Sequence, residues 1–118
     1  MMILLTMIFL HIVDDYYLQG ILAQMKQKKF WKEQAPDEKY KYDYIWALIM
    51  HAFSWAFMIM LPLTFAAAVG PLFYVVFAAN VAIHAYVDHM KANQFKINLW
   101  QDQLIHIAQI VITFFILG

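Results

Sequence analysis

Residues 44–87 read YIWALIMHAFSWAFMIMLPLTFAAAVGPLFYVVFAANVAIHAYV and contain no Asp, Glu, Lys or Arg. An apolar helix of about 20 residues is enough to cross the hydrocarbon core of a bilayer, which is about 30 Å thick. The uncharged stretch is long enough for two such helices, and Gly70 followed by Pro71 marks a turn between them. It therefore predicts an integral membrane protein.

The composition of the whole chain agrees with this interpretation. Hydrophobic residues make up 64% of its 118 residues, against roughly 45–50% in soluble domains. The formal net charge of +0 argues against a basic nucleic-acid-binding protein, so we expect no nucleic acid partner. The chain has no Cys, and any bound metal must therefore use His, Asp or Glu side chains.

Further apolar segments flank the uncharged stretch on both sides. The predicted fold is therefore an all-α, polytopic membrane protein, a bundle of four transmembrane helices in contact with the lipid bilayer. We expect a single domain with spans at about residues 2–23, 44–63, 71–89 and 97–117. Pro62 lies near the end of the second span, so we expect a short uncharged turn over residues 64–70.

The segment at residues 25–43 has a different composition, with six Lys and four acidic residues around Phe30 and Trp31. Either the first part of this segment is an interfacial amphipathic helix, or the segment is a solvated connecting loop. The other two lysines, Lys91 and Lys96, lie between the third and fourth spans. The positive-inside rule therefore predicts a multi-pass protein of the inner (cytoplasmic) membrane, with cytoplasmic lysine-rich connections and both termini outside.

Histidines and aspartates recur within the apolar segments at a spacing of four residues. Residues i and i+4 of a helix lie on the same face, so each pair presents an imidazole beside a carboxylate. All three pairs, together with a lone histidine in the second span, fall in the cytoplasmic half of the predicted bundle, which indicates one buried site. These residues are His11 and Asp15, His84 and Asp88, Asp102 and His106, and the lone His51.

Ionisable residues inside a span are costly to bury and are functional by default. Mixed His and carboxylate ligands suit divalent ions such as Zn, Mn, Fe or Ni, and the site has enough ligands for one ion or two. A hydrogen-bonded His–Asp network without metal, or a haem held by two histidines, are the alternatives. In the metal interpretation the ligands are His11, Asp15, His84, Asp88, Asp102 and His106, and His51 or Asp14 handles the proton.

Four motifs in chain order carry a resemblance to a known family. They are His11-Ile-Val-Asp-Asp15-Tyr-Tyr-Leu18-Gln19, the histidine of HAFSWA at residue 51, His84-x-x-x-Asp88 with Lys91, and Asp102-Gln103-x-x-His106. Together they resemble domain-of-unknown-function family 3307, which comprises small four-helix membrane proteins of bacteria and their phages. The resemblance implies the architecture, the residue set and the choice of Asp15 over Asp14, but no established activity. The family often has a second histidine where this chain has Trp55.

Three classes of function are compatible with the sequence. The first is a membrane-embedded, metal-dependent hydrolase, whose position at the cytoplasmic lipid boundary favours a lipid-like substrate. The second is a proton- or metal-conducting transporter or channel component, which requires a homo-oligomer because four short helices make too small a pore alone. The third is a non-catalytic membrane adaptor that recruits a partner through residues 25–43.

Overall fold

A computed structural model of the protein describes residues 1–15, 22–66, 69–94 and 96–118. This part of the chain consists of helices and their connections and contains no β-strand, which confirms the all-α prediction. A single 3-10 turn, Glu38–Tyr40, accompanies the described α-helices. These are α1 (Met2–Val13), α2 (Leu22–Met25), α3 (Lys28–Gln34), α4 (Asp43–Ala66), α5 (Pro71–Ala92) and α6 (Leu99–Leu117).

Local sequence signals explain where the long helices begin. Helix α5 has Pro71 in its first turn, where the missing N–H has no intrahelical partner to lose. Helix α6 starts with a capping box. The Asn98 side chain accepts a hydrogen bond from the Gln101 backbone N–H at 2.9 Å, and the Gln101 side chain accepts one from the Asn98 backbone N–H at 3.0 Å. This cap holds the first turn of α6, which carries Asp102.

Helix α4 continues to Ala66, past residue 63, where the predicted second span ended. Pro62 lies inside α4, which runs to Ala66. A proline deprives the helix of one backbone hydrogen bond, but the flanking apolar residues still pack as a helix. The expected turn covered residues 64–70. Its first three residues are helical, and residues 67–68 lie outside the described residues.

Four helices form a bundle in which neighbours along the chain are neighbours in space. Helix α4 packs most extensively against α5 and α1, and α6 packs against α5 and α1. Inward-facing residues of α4 recur every three or four positions, as expected for a helix with one buried face. This buried stripe of α4 comprises Tyr44, Ala47, Leu48, His51, Ala52, Trp55, Ala56, Ile59, Met60 and Leu63.

One end of the bundle is an apolar core. Its buried members are Met7, Trp55, Ala56, Ile59, Met60, Leu63 and Ile110. Phe73, Phe114 and Leu117 pack against this core, which places it at the start of α1 and α5 and at the end of α4 and α6. The opposite end carries the connections at residues 25–43 and 93–98, and is called the lysine end below.

The outward faces of the long helices are apolar as well. Phe65 is 85% exposed and Phe115 is 76% exposed, as expected for side chains that face lipid tails. Within the described part of the chain, three helical segments are long and apolar enough to cross a membrane, namely Glu38–Phe65, Pro71–Ala92 and Leu99–Leu117. The protein is therefore assigned to a membrane, with its apolar helices in contact with the bilayer.

The fourth predicted span is only partly described. Helix α1 has 12 residues, which corresponds to about 18 Å at the helical rise and is short of the hydrocarbon thickness. The predicted continuation through residues 16–21, including Leu18 and Gln19 of the first motif, lies outside the described residues. A span over residues 2–23 therefore stays a prediction.

The lysine-rich segment at residues 25–43 is not one continuous helix. It contains the end of α2, the seven-residue α3 and the 3-10 turn. The Asp37 side chain accepts a hydrogen bond from the Lys39 backbone N–H at 3.2 Å and so caps that turn. Asn93 joins this segment to the end of α5 through bonds to Lys26 and Lys28, which brings the two lysine-rich connections to the same end of the bundle.

Candidate metal centre

Polar residues take over the inward-facing positions toward the lysine end of the bundle. They continue the same helical spacing as the apolar core, so their side chains meet along the bundle axis. The buried polar residues are His11, Asp14, Lys26, His51, Asn80, His84, Asp88, Asp102, His106, Gln109 and Thr113. The structure therefore brings the histidines and aspartates of four helical segments into one cluster.

Two groups of three side chains in the described part of the chain are close enough to share a metal ion. One group is Asp15, His51 and His84, and the other is His84, Asp88 and His106. In each group the ligand atoms lie within 4.8 Å of one another. Two imidazoles and one carboxylate suit Zn or Fe, and three protein ligands leave a position for water, as in catalytic sites.

Asp88 is the centre of the fully buried group. Its Oδ1 lies 3.3 Å from His106 Nε2, and its Oδ2 lies 3.4 Å from Nε2 of both His84 and His51. Oδ2 also accepts a hydrogen bond from the Lys26 ammonium at 2.9 Å. One carboxylate thus faces three imidazoles and an ammonium in the buried interior of the bundle.

His84 lies at the point where the two groups meet. It is 0% exposed and stacks against two rings, with centroid distances of 4.2 Å to Trp55 and 4.0 Å to His106. Neither of its ring nitrogens has a hydrogen-bond partner of acceptable geometry among the described residues. A buried imidazole without hydrogen bonds is costly, and a metal ion would satisfy one of its nitrogens.

His11 lies outside both groups, and each of its ring nitrogens has a partner. The indole N–H of Trp55 donates to His11 Nδ1 at 2.7 Å, and an indole can only donate. Nδ1 must therefore be the acceptor, and Nε2 carries the proton and donates to Gln103 Oε1 at 2.9 Å. Gln103 in turn donates to Asp15 Oδ2 at 3.3 Å and to Asp102 Oδ2 at 3.0 Å.

Asp102 also lies outside the two groups but contacts one of their members. Its Oδ1 lies 3.2 Å from His106 Nε2, as the spacing of four residues led us to expect. Its Oδ2 lies 3.3 Å from the Lys91 ammonium. Asp102 therefore contacts the same His106 nitrogen that lies 3.3 Å from Asp88 Oδ1.

Asp14 and Asp15 both reach His51, at a point where the helix widens into a π turn. The Asp14 Oδ2 atom lies 3.8 Å from His51 Nδ1, and Asp15 Oδ1 lies 3.1 Å from His51 Nε2. Asp14 Oδ1 accepts a hydrogen bond from the Ser54 hydroxyl at 2.6 Å. π turns are frequent at functional sites, and this one places consecutive carboxylates beside the same imidazole.

A chain of hydrogen bonds runs from His106 toward the apolar core. The Asn80 amide donates to the Thr113 hydroxyl at 2.8 Å, and the Gln109 amide donates to Asn80 Oδ1 at 3.1 Å. Because the Gln109 amide nitrogen donates to Asn80, the atom that faces His106 Nδ1 at 3.1 Å is Gln109 Oε1, which can only accept. His106 Nδ1 therefore carries a proton, and its Nε2 faces the carboxylates.

Several residues of the cluster were not assigned a role from the sequence. Gln103 and Lys91 belong to the motifs quoted for the family resemblance, and Trp55 stands at the family's second-histidine position. Spacing also offers a signal for Gln109, which lies three residues after His106 on the same helical face. Nothing in the sequence distinguishes Lys26 from the other five lysines of its segment.

No family model matches the chain, and neither the curated proteins nor the solved structures contain a match. The buried His/Asp groups could hold a metal ion. The roles assigned to individual site residues from the sequence stay predictions.

Proposed function

We propose that this protein is a membrane-embedded metalloprotein that holds one divalent ion between His84, Asp88 and His106, and that it acts as a hydrolase. The observation that carries the proposal is the burial of His84 at the junction of two ligand groups with neither ring nitrogen hydrogen-bonded among the described residues. A purely structural His–Asp network would satisfy that ring, because unpaired buried polar groups are rare in native proteins.

A single ion is favoured because both groups need His84. A neutral imidazole has one nitrogen with a lone pair, since the other carries the proton. The group of His84, Asp88 and His106 is fully buried, whereas Asp15 in the other group is partly exposed. Zn, Mn and Fe all bind two imidazoles and a carboxylate, so the ligands do not distinguish among these three metals.

The remaining side chains fit supporting roles around that ion. When bound, the ion would act as a Lewis acid that lowers the pKa of a water toward neutrality and so would supply the nucleophile for ester hydrolysis. His51, whose Nε2 is hydrogen-bonded to Asp15 Oδ1 at 3.1 Å and whose Nδ1 lies 3.8 Å from Asp14 Oδ2, would take the proton from that water together with Asp14. In this scheme His11, Asp15 and Asp102 surround the site but do not bind the ion.

The family resemblance and the membrane topology are part of the same proposal. The lysine end faces the cytoplasm, because lysine-rich connections are retained on that side. Membership of domain-of-unknown-function family 3307 would agree with a four-span bundle and with motif residues that meet at one site. The metal centre then lies below the cytoplasmic membrane surface, within reach of an amphiphilic substrate.

A transport path receives less support. The polar chain from His106 ends at Thr113, beside the apolar core formed by residues such as Met7, Ile59 and Ile110. Charges and water cross such a dry, close-packed cluster at high cost. The described residues of a single chain thus form a site that is polar at one end only.

Elemental analysis of protein purified without a histidine tag tests the metal centre. We expect one equivalent of a divalent transition metal per chain in the wild type and in His89→Ala, the matched control. His89 lies next to Asp88 but belongs to neither ligand group. His84→Ala and His106→Ala should lose the ion. Equal metal content in His84→Ala and His89→Ala, or no binding of Zn, Mn or Fe by the wild type, would contradict the proposal.

His51→Ala separates binding from catalysis. If the ion lies among His84, Asp88 and His106, the variant should keep the metal and lose most metal-dependent ester hydrolysis, by roughly 10²- to 10⁴-fold. Loss of the metal from His51→Ala would instead place the ion in the group that contains Asp15. Undiminished hydrolysis in a metal-loaded His51→Ala variant would exclude His51 as the base.

A further inference from the structure

Lys26 is a charged side chain inside the site. It is 5% exposed, and its ammonium lies 2.9 Å from Asp88 Oδ2. The exposed Lys29 of the same segment, in contrast, pairs with Glu33 at 3.8 Å at the surface. Burying an ammonium and a carboxylate together rarely increases stability relative to apolar residues of the same size. A buried lysine beside metal-binding side chains therefore indicates a role in the chemistry of the site.

Asn93 holds the backbone on both sides of Gln27 and so fixes the position of Lys26. Its side-chain amide donates to the Lys26 carbonyl oxygen at 2.8 Å, and its Oδ1 accepts from the Lys28 backbone N–H at 2.6 Å. Asn93 is the residue that follows α5, the helix that supplies His84 and Asp88. The lysine and two of the three proposed ligands, His84 and Asp88, are therefore anchored to the same helix.

The distance from Lys26 to the proposed ion suits a shared ligand. Ligand atoms lie about 2 Å from Zn and similar ions. The ammonium, 2.9 Å from Asp88 Oδ2, would lie within about 5 Å of an ion bound to that oxygen. A tetrahedral phosphoryl group has several anionic oxygens on one centre, so one oxygen can bind the ion while another accepts a hydrogen bond from Lys26.

We infer that Lys26 is a substrate-binding residue and that the site takes an ester carrying a phosphoryl group. This inference rests on the proposed metal centre and names its substrate class. A carboxylic ester is uncharged, whereas a phosphate ester brings anionic oxygens both to the ion and to the ammonium, which also keeps its contact with Asp88. Lysine is a common phosphate-binding residue for the same reason.

The surface beside the Lys26 segment is suited to an amphiphilic phosphate ester. A cleft of about 380 Å³ lies there, lined among others by Lys28, Trp31, Tyr40, Tyr42 and Tyr44. The Tyr44 ring stacks on His89, the neighbour of Asp88, at a centroid distance of 5.9 Å. Aromatic rings and lysines are typical of the membrane–water interface, where phosphate headgroups lie.

Phosphorus-31 relaxation of inorganic phosphate in the presence of Mn²⁺-loaded protein tests the inference. The paramagnetic ion shortens the relaxation time only of phosphate bound close to it, and titration yields the dissociation constant. We expect Lys26→Met to keep Mn²⁺ and to weaken phosphate binding on the order of 10- to 100-fold. Lys26→Arg should retain most of the binding, and Lys29→Met, the surface control, should match the wild type.

A second probe, dihexanoyl phosphatidic acid, identifies the source of the phosphoryl group. If the protein binds this lipid more tightly than inorganic phosphate, and Lys26→Met weakens that binding, the substrate is a lipid. If the two probes bind equally tightly, the substrate is a water-soluble phosphate ester. Both results support the inference. Equal affinities in Lys26→Met and wild type, or no binding of either probe to Mn²⁺-loaded protein, would overturn it while leaving the metal centre intact. Failure of the wild type to bind Mn²⁺, Zn²⁺ or Fe²⁺ would refute the metal centre itself.

Discussion

Replacing Trp55 with phenylalanine is expected to destabilise the bundle through the loss of one hydrogen bond. Trp55 is 0% exposed, and its indole N–H is the donor to His11 Nδ1 at 2.7 Å. Phenylalanine keeps an aromatic ring but leaves that nitrogen buried without a donor, at a cost of about 1–3 kcal/mol. The cavity left by the lost ring atoms adds about 1 kcal/mol. The expected loss in the free energy of unfolding is therefore about 2–4 kcal/mol.

The measurement is unfolding in mixed detergent micelles followed by far-ultraviolet circular dichroism, with Trp100→Phe as the control. Trp100 is 74% exposed, so the same substitution there should change the free energy of unfolding by less than about 0.5 kcal/mol. Nitrogen-15 NMR should also show a proton on His11 Nε2 in the wild type. A Trp55→Phe variant as stable as Trp100→Phe, or a wild-type His11 protonated on Nδ1 alone, would refute the tautomer assignment.

Two further predictions concern residues that act through their neighbours. Gln109→Leu removes the acceptor for His106 Nδ1 and should weaken metal binding by about 10- to 100-fold. Gln109→Glu keeps an acceptor and should leave the metal affinity unchanged. Equal metal affinities in the two variants would contradict this prediction. Asn93→Ala should speed amide hydrogen exchange at Lys28, whose N–H donates to Asn93 Oδ1, while Gln94→Ala should leave that exchange rate unchanged.

The helical architecture could be predicted because it depends on local patterns. An uncharged stretch over residues 44–87 requires burial in lipid, and Gly70-Pro71 divides it in two. The structure accordingly has α4 and α5 on either side of that dipeptide. Boundaries were less accurate: α4 continues to Ala66 rather than ending near residue 63, because packing against neighbouring elements decides how far a helix continues.

The pairing of a histidine with an aspartate on the same helix could also be predicted. A spacing of four residues places His84 beside Asp88 and Asp102 beside His106, and the structure has these pairs at 3.4 Å and 3.2 Å. The spacing also pairs His11 with Asp15, at the longer distance of 3.7 Å. Helical periodicity determines which side chains share a face, independently of what the face contacts.

Sequence alone thus determined an all-helical membrane protein with an imidazole and a carboxylate side by side on several helices. Only the tertiary structure decided which of them meet. The rotation of each helix about its axis is set by packing, and it turns His11 toward Trp55 and Gln103 and His84 toward both ligand groups. The burial of Lys26 could not be predicted from the sequence either. It depends on where the chain crosses the lysine end of the bundle, and no local sequence pattern determines that position.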